Sequence, residues 1–294
     1  MKLRESAGLI GLGVLAVAAA VLVALAFEHV RPSTSSLAAT PAPPQSSASA
    51  PGPSESPQDV EPTPEPATPT PDSRSAEPKP EPEAGSLEEI QALLAGDGEV
   101  VVSVLGDGSG NSKDEWVSFW ADDLAEGHAV SYRAWNSNTG DYGDAERLSQ
   151  IGTAIEIYNG SRAGETAIEA GASLGDLQPE SPDLVVLNLG HSESASEMTE
   201  GLDGLWSTIS ADHEDARGLV ILQNPASGDV AEEQDTRIDL LRSWASDNQL
   251  PTLDVHRAFN EAPDPLSTYL FDGSYPNESG SRLWADTVTA ALSS

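Results

Sequence analysis

Along the last two-thirds of the chain, apolar residues fall into short β-branched runs separated by stretches with helical spacing. Glu99 to Leu105 is the clearest run and predicts a buried strand. Similar runs predict strands at His128–Trp135, Ala154–Tyr158, Asp183–Leu189, Gly218–Gln223 and Thr252–Val255. Between most of them the period lengthens to that of a helix, roughly over Glu165–Gly175, Ala195–Ile209, Glu232–Asp247 and Glu278–Leu292. Ser86-Leu87-Glu88-Glu89 has the form of a capping box and opens a helix through Leu94. Trp116, Phe119, Trp120 and Leu124 also recur at helical spacing, as a face packed under the sheet. Short buried strands alternating with helices predict a three-layer α/β/α domain. Its parallel sheet has about five strands, with any sixth candidate at an edge. In such a sheet the site lies beyond the carboxyl ends of the strands.

Ahead of this region the pattern changes. Ala7 to Phe27 is an unbroken 21-residue stretch of apolar residues and glycine. As a helix, at about 1.5 Å per residue, it spans roughly 30 Å, the thickness of a bilayer core. Lys2 and Arg4 precede it, which keeps the N-terminus cytoplasmic. A signal peptide cut after Ala24-Leu25-Ala26 is the alternative, but the run exceeds the roughly 7–15 residues of a signal core. Residues 31–85 then hold 15 of the 22 prolines, mixed with Ser, Ala, Thr and Glu. Such a segment buries too little apolar surface to offset chain entropy and favours extended conformations. The expected organisation is a transmembrane anchor over residues 1–30, a disordered stalk over 31–85 and one folded domain over 86–294. That is a single-pass cell-membrane protein with an extracellular C-terminal domain, or a secreted one if the first segment is cleaved.

Composition adds two exclusions. There is no cysteine, so disulfides and a cysteine-linked lipid anchor are ruled out. A domain of this length buries a sufficient core without them. The net charge of −34 lies mostly in the folded part and argues against nucleic acid as a partner.

Several predicted strand-end loops carry residues suited to chemistry. They are Gly106-Asp107-Gly108-Ser109-Gly110-Asn111, Asn159-Gly160-Ser161-Arg162-Ala163-Gly164, Gly190-His191-Ser192-Glu193 and Asp272-Gly273-Ser274-Tyr275-Pro276-Asn277. Gln223-Asn224-Pro225 follows another strand. Each alone is an ordinary turn: glycine permits positive φ, and Asn, Asp and Ser cap helices.

Together and in this order, the blocks resemble the SGNH/GDSL hydrolase family, a flavodoxin-like α/β fold of esterases, lipases and glycan deacetylases. The resemblance runs from about Val100 to Leu292, and the flanks "DEW", "NGSRAGET" and "YPNESGSRLWAD" share it. In that family the first block reads Gly-Asp-Ser, with the serine as nucleophile. The second supplies a glycine and the third a Gly-x-Asn, both for the oxyanion hole. The last reads Asp-x-x-His, the base and its orienting acid. Carried over position by position, the nucleophile is Gly108 and the asparagine is Ser192. The base is Tyr275, three residues after Asp272. The oxyanion glycine is Gly164, with Gly160 as second choice. Asp107 and His191 flank the site as binding residues.

These replacements remove the family's chemistry. Acyl transfer needs an oxygen nucleophile and a base titrating near neutrality. Gly108 has no oxygen, and a tyrosine with a pKa of about 10 is a poor base at pH 7. The resemblance therefore implies an inactive hydrolase domain whose pocket binds acyl esters or acylated cell-envelope glycan. One alternative is catalysis relocated to Ser109, with His191 as the candidate base. Another is a purely structural or protein-interaction domain. Asp107, His191, Glu193 and Asp272 offer O and N ligands, but no metal-ligand spacing accompanies them, and neither a metal nor a cofactor is expected.

Overall fold

Apolar strands that are buried on both faces need helices above and below, and the chain supplies them. The computed structural model describes residues 85–293. The anchor expected over residues 1–30 and the stalk over 31–84 lie outside the described residues. Among the described residues, no helix is long and apolar enough to cross a membrane.

The elements in chain order are α1 (Leu87–Leu94), β1 (Val100–Gly106), α2 (Trp116–Leu124), β2 (Ala129–Asn136), β3 (Asp141–Tyr142), β4 (Glu146–Arg147) and β5 (Ala154–Asn159). Then follow α3 (Ala167–Ala172), α4 (Leu174–Leu177), β6 (Leu184–Asn188), α5 (Met198–Asp212), β7 (Arg217–Leu222), α6 (Ala231–Asp247) and β8 (Thr252–Asp254). The chain closes with α7 (Val255–Asn260), β9 (Leu270–Phe271), β10 (Tyr275–Pro276) and α8 (Glu278–Leu292).

The main sheet runs β3-β2-β5-β1-β6-β7-β8, with β4 also on β2. All six expected strands form, and all six pair in parallel. Five of them and a sixth, β2, at the end of the parallel array are as expected, and β3 and β4 add short antiparallel pairs on β2. Without the edge strand β2, the other five parallel strands follow the flavodoxin-like order 2-1-3-4-5. The direction of winding reverses at β1, so the loops after β1 and β6 flank the switch point where such folds bind ligands.

Alternation along each strand divides the core in two. Val102, Val104, Leu184 and Val186 face Trp116, Trp120 and Trp284 of α2 and α8. Leu105, Val185 and Leu187 face α3, α5 and α6. Trp116 and Trp284 stack at 5.5 Å with an interplanar angle of 6°, fixing α2 against α8. The helix expected over Glu165–Gly175 breaks into α3 and α4 at Ser173, and α5 starts at Met198 rather than Ala195. Ser86 caps α1 through the Glu89 amide. The complete reciprocal capping box belongs to Thr166 and Glu169 on α3, which set the helix after the second loop.

Candidate functional site

The first loop leaves β1 through a position that only glycine fits. A Cβ on Gly106 would lie 2.6 Å from Ser161 Oγ and 3.3 Å from the Asn188 carbonyl, so three strand ends converge there. Asp107 follows, fully buried. Its Oδ1 accepts the Ser109 amide at 3.0 Å. Its Oδ2 accepts the His191 amide at 3.1 Å and Gln223 Nε2 at 2.9 Å. Burial alone would raise this carboxyl. The adjacent His191, with the Gln223 and Ser109 hydrogen bonds, outweighs burial and holds it below the ordinary value. Ser109 is also buried, and its hydroxyl accepts Asn188 Nδ2 at 3.0 Å.

Gly108 stands between these two residues with ordinary backbone angles. A Cβ there would meet Ala163 Cα at 3.4 Å and Tyr275 Cε1 at 3.6 Å, both normal contacts. A Cβ therefore fits at position 108, where the family resemblance would put the nucleophile. In the second loop Gly164 has φ +80° and open space around it. Among the described residues, no protein acceptor takes the amide of Gly108 or of Gly164. Gly160, the second choice, is buried, and its amide donates to the Val104 carbonyl at 2.9 Å. It has no donor left for an oxyanion.

The third loop leaves β6 after Leu189. The His191 imidazole is 4% exposed, with Nδ1 3.6 Å from Asp107 Oδ2, a charge contact longer than a hydrogen bond. Neither ring nitrogen has a hydrogen-bond partner. Ser192 is half-buried beside Tyr275. Glu193 turns away from the cleft to accept the Ala167 amide at the start of α3. That removes one of the four residues considered as ligands. Among the described residues, no group of His, Asp and Glu could hold a metal ion.

The last block is a small hairpin in which Tyr275 pairs with Phe271 across β9 and β10. Asp272 adopts φ +53° at its turn, a left-handed conformation that Asp tolerates. Its Oδ1 accepts the Ser274 amide at 3.3 Å. The carboxylate serves the turn instead of orienting a base. Tyr275 stacks on His191, with ring centroids 5.0 Å apart and an interplanar angle of 25°. Burial raises its phenol pKa and the Asp107 charge adds to that, while the Ser192 hydroxyl opposes. An open cleft of about 540 Å³ covers Gly108 and Tyr275, and its charged lining is acidic: Asp114, Glu115, Asp272 and Glu278.

Gly108, Asp107, His191, Ser192 and Tyr275 are therefore brought to one place, with Gly164 at its edge. Ser109 is adjacent but faces inward. Gln223 stood in a loop singled out from the sequence but without a role, and Asn188 was not singled out, yet both are fully buried in the network around Asp107 and Ser109. The signal was a polar residue ending an apolar strand, as in "LVVLN" and "LVILQ".

A family model described as GDSL-like lipase/acylhydrolase matches residues 105–283. Among solved structures, the chain is similar to an acetylxylan esterase from Geobacillus stearothermophilus, at 14% identity and a TM-score of 0.51, over 67% of this chain and 95% of that one. It is similar to a putative GDSL-like lipase from Parabacteroides merdae, at 15% identity and a TM-score of 0.50, over 67% and 96% of the two chains. An α/β hydrolase enzyme from the metagenome of Lake Arreo, Spain, shows 16% identity and a TM-score of 0.50, over 66% and 94%. At these identities the likeness is one of fold. No curated protein matches the chain.

Proposed function

The chain belongs to the GDSL-like lipase/acylhydrolase family, the SGNH/GDSL hydrolases, and from that premise we propose that its domain binds an acyl-ester ligand without the family's covalent hydrolysis. The observation that carries this reading is the geometry at position 108. The backbone has room for a nucleophile's side chain, and the sequence places glycine there. Without an oxygen at that point no acyl-enzyme forms. Two further observations support it. The Ser109 hydroxyl is buried and engaged by Asn188, so it is no substitute nucleophile. The imidazole nitrogens of His191 are buried as well, with Tyr275 stacked on the ring. Pocket shape and catalysis are separable, so losing the nucleophile leaves a binder.

For ligand we propose an acetylated or otherwise acylated glycan of the cell envelope, the carbohydrate-ester class on which the acetylxylan esterase acts. The exported setting is part of the same proposal. It rests on the 21-residue apolar run from Ala7 to Phe27 and the proline-rich stalk behind it. The test is a titration of the full chain with acetylated xylo-oligosaccharides, following the thermal midpoint and free acetate together. The expected result is a rise in the midpoint with no acetate released. Acetate released in many turnovers per protein would overturn the reading, and so would a midpoint that none of a panel of acylated glycans moves.

A further inference from the structure

The family's base is missing from the last block, yet a histidine without an evident task sits beside the same position. Burying an imidazole with two unpaired nitrogens costs free energy, and a retained cost of that kind calls for an explanation. His191 is such a group, 4% exposed, with neither ring nitrogen bonded. Its Nδ1 is 3.6 Å from Asp107 Oδ2, and its own amide donates to that oxygen at 3.1 Å. Among the described residues, the only basic side chain within 4.0 Å of the Asp107 carboxylate is His191. A carboxylate beside an imidazole, with the histidine's own amide bonded to it, is the pairing from which an orienting acid and a base are built.

Tyr275 completes the picture. Its ring stacks on the imidazole, and its Cε1 lies 3.6 Å from where a side chain at position 108 would begin. One ring therefore touches both the histidine and the emptied nucleophile position. The hairpin that carries it is tied to the loop after β7, where the Ser227 amide donates to the Gly273 carbonyl at 2.7 Å and Asn224 Nδ2 to the Ser274 carbonyl at 2.8 Å, so the ring is held over the histidine.

We infer that the site keeps a latent base in the third block instead of the last, with His191 as a general base for water, Asp107 as its positioning residue and Tyr275 as the cover that keeps it idle in the unmodified chain. The inference rests on the reading that an acyl ester occupies the cleft over Gly108. With the ring removed, the space in front of Gly108 admits a water where the family has a serine oxygen. The water oxygen bonds to the ester carbonyl carbon as one of its protons passes to His191. The carbonyl electron pair moves onto its oxygen, for which the free amides of Gly108 and Gly164 are the available donors. Collapse re-forms the carbonyl and breaks the bond to the alcohol oxygen, which takes the proton back from His191. Acid and alcohol leave, no acyl-enzyme forms, and water is the only co-reactant. In the unmodified chain the ring stays over His191 when an ester binds, so the bound ester is not hydrolysed.

The test removes the cover in the full chain with Tyr275→Ala, and with Tyr275→Ser as a second variant should the first fail to fold. Tyr275→Leu, which keeps much of the bulk, serves as the masked control. Carbethoxylation of His191 by diethylpyrocarbonate, located by peptide mass, reads the cover. It should run about tenfold or more faster in the uncovered variants than in wild type or Tyr275→Leu. Hydrolysis of p-nitrophenyl acetate reads the base and should rise by about tenfold or more, the low end of general-base effects. It should proceed without fluorophosphonate labelling and return to the wild-type level when His191→Gln is added. Adding Asp107→Asn should lower kcat at unchanged KM, which a purely structural role would not do. Equal carbethoxylation rates in folded wild-type and uncovered protein would overturn the inference, as would uncovered turnover that survives His191→Gln. Acetate release by the wild-type chain counts against the binding reading instead, so the two fail separately.

Discussion

Asp107 shows how one buried carboxylate organises the site. It accepts three hydrogen bonds, and these tie the loop after β1 to the loop after β6 and to the end of β7. Losing hydrogen bonds to a buried charged group costs about 1.5–3 kcal/mol. Asp107→Asn should lose roughly that amount at pH 7, measured by urea unfolding. The pH dependence has a definite sign. The folded-state pKa lies below the ordinary 3.8, so the native protein binds this proton less readily than the unfolded chain does. The carboxylate's contribution is full above about 3.8 and fades as pH falls through the lower folded value. The stability gap between wild type and Asp107→Asn should therefore hold from pH 7 to 5 and narrow below about 4. A gap that widens in acid would contradict this assignment. Little of it was legible beforehand. The sequence places Asp107 and His191 in two separate turns, and His191 fills a variable position of its block. The family resemblance set them at one site, but the hydrogen bond from the His191 amide to Asp107 depends on the switch point between β1 and β6, which no local pattern shows.

Among the elements, the six parallel strands were legible because each is an apolar run bounded by turn residues. The two-residue strands β3, β4, β9 and β10 were not, because pairs that short have no period to detect. Nor could apolar pattern alone show that β2 is an extra edge strand, since it is as apolar as its neighbours. The last helix carries a clearer signal. Asn277 caps it by accepting the Gly280 amide, and Gly280 lies inside its first turn. Helix propensity says that Gly280→Ala should stabilise by about 1 kcal/mol. The packing says otherwise, because a Cβ there would fall 2.2 Å from the Tyr269 carbonyl oxygen. Overpacking costs about 1–3 kcal/mol, and a backbone obstacle places this site at the upper end. Gly280→Ala should lower stability by about 1–2 kcal/mol net and loosen the hairpin bearing Tyr275. Thermal unfolding checks the first effect, and hydrogen exchange over residues 270–277 the second. A stabilised variant would mean that α8 does not pack against Tyr269 in this way.

For the molecule as a whole, a net charge of −34 makes self-repulsion a measurable term. Salt screens exposed charges within about 8–10 Å at physiological strength. Raising sodium chloride from 20 to 500 mM, about a 25-fold change, should therefore raise the thermal midpoint. A falling midpoint would show that surface ion pairs such as Lys113–Glu146 outweigh the repulsion. The central claim is that a hydrolase scaffold is intact around an emptied nucleophile position. Position 108 has no left-handed φ, and a Cβ there meets only ordinary contacts, so a side chain can begin there without strain. The family's machinery acts as a unit, so single replacements should do little. The direct measurement is fluorophosphonate labelling of wild type beside the variant carrying Gly108→Ser, Ser192→Asn and Tyr275→His, with the labelled peptide identified by mass. The account predicts no label on wild type and covalent label at position 108 in the triple variant. Label on Ser109 of the wild-type chain, or a folded triple variant that takes none, would contradict it.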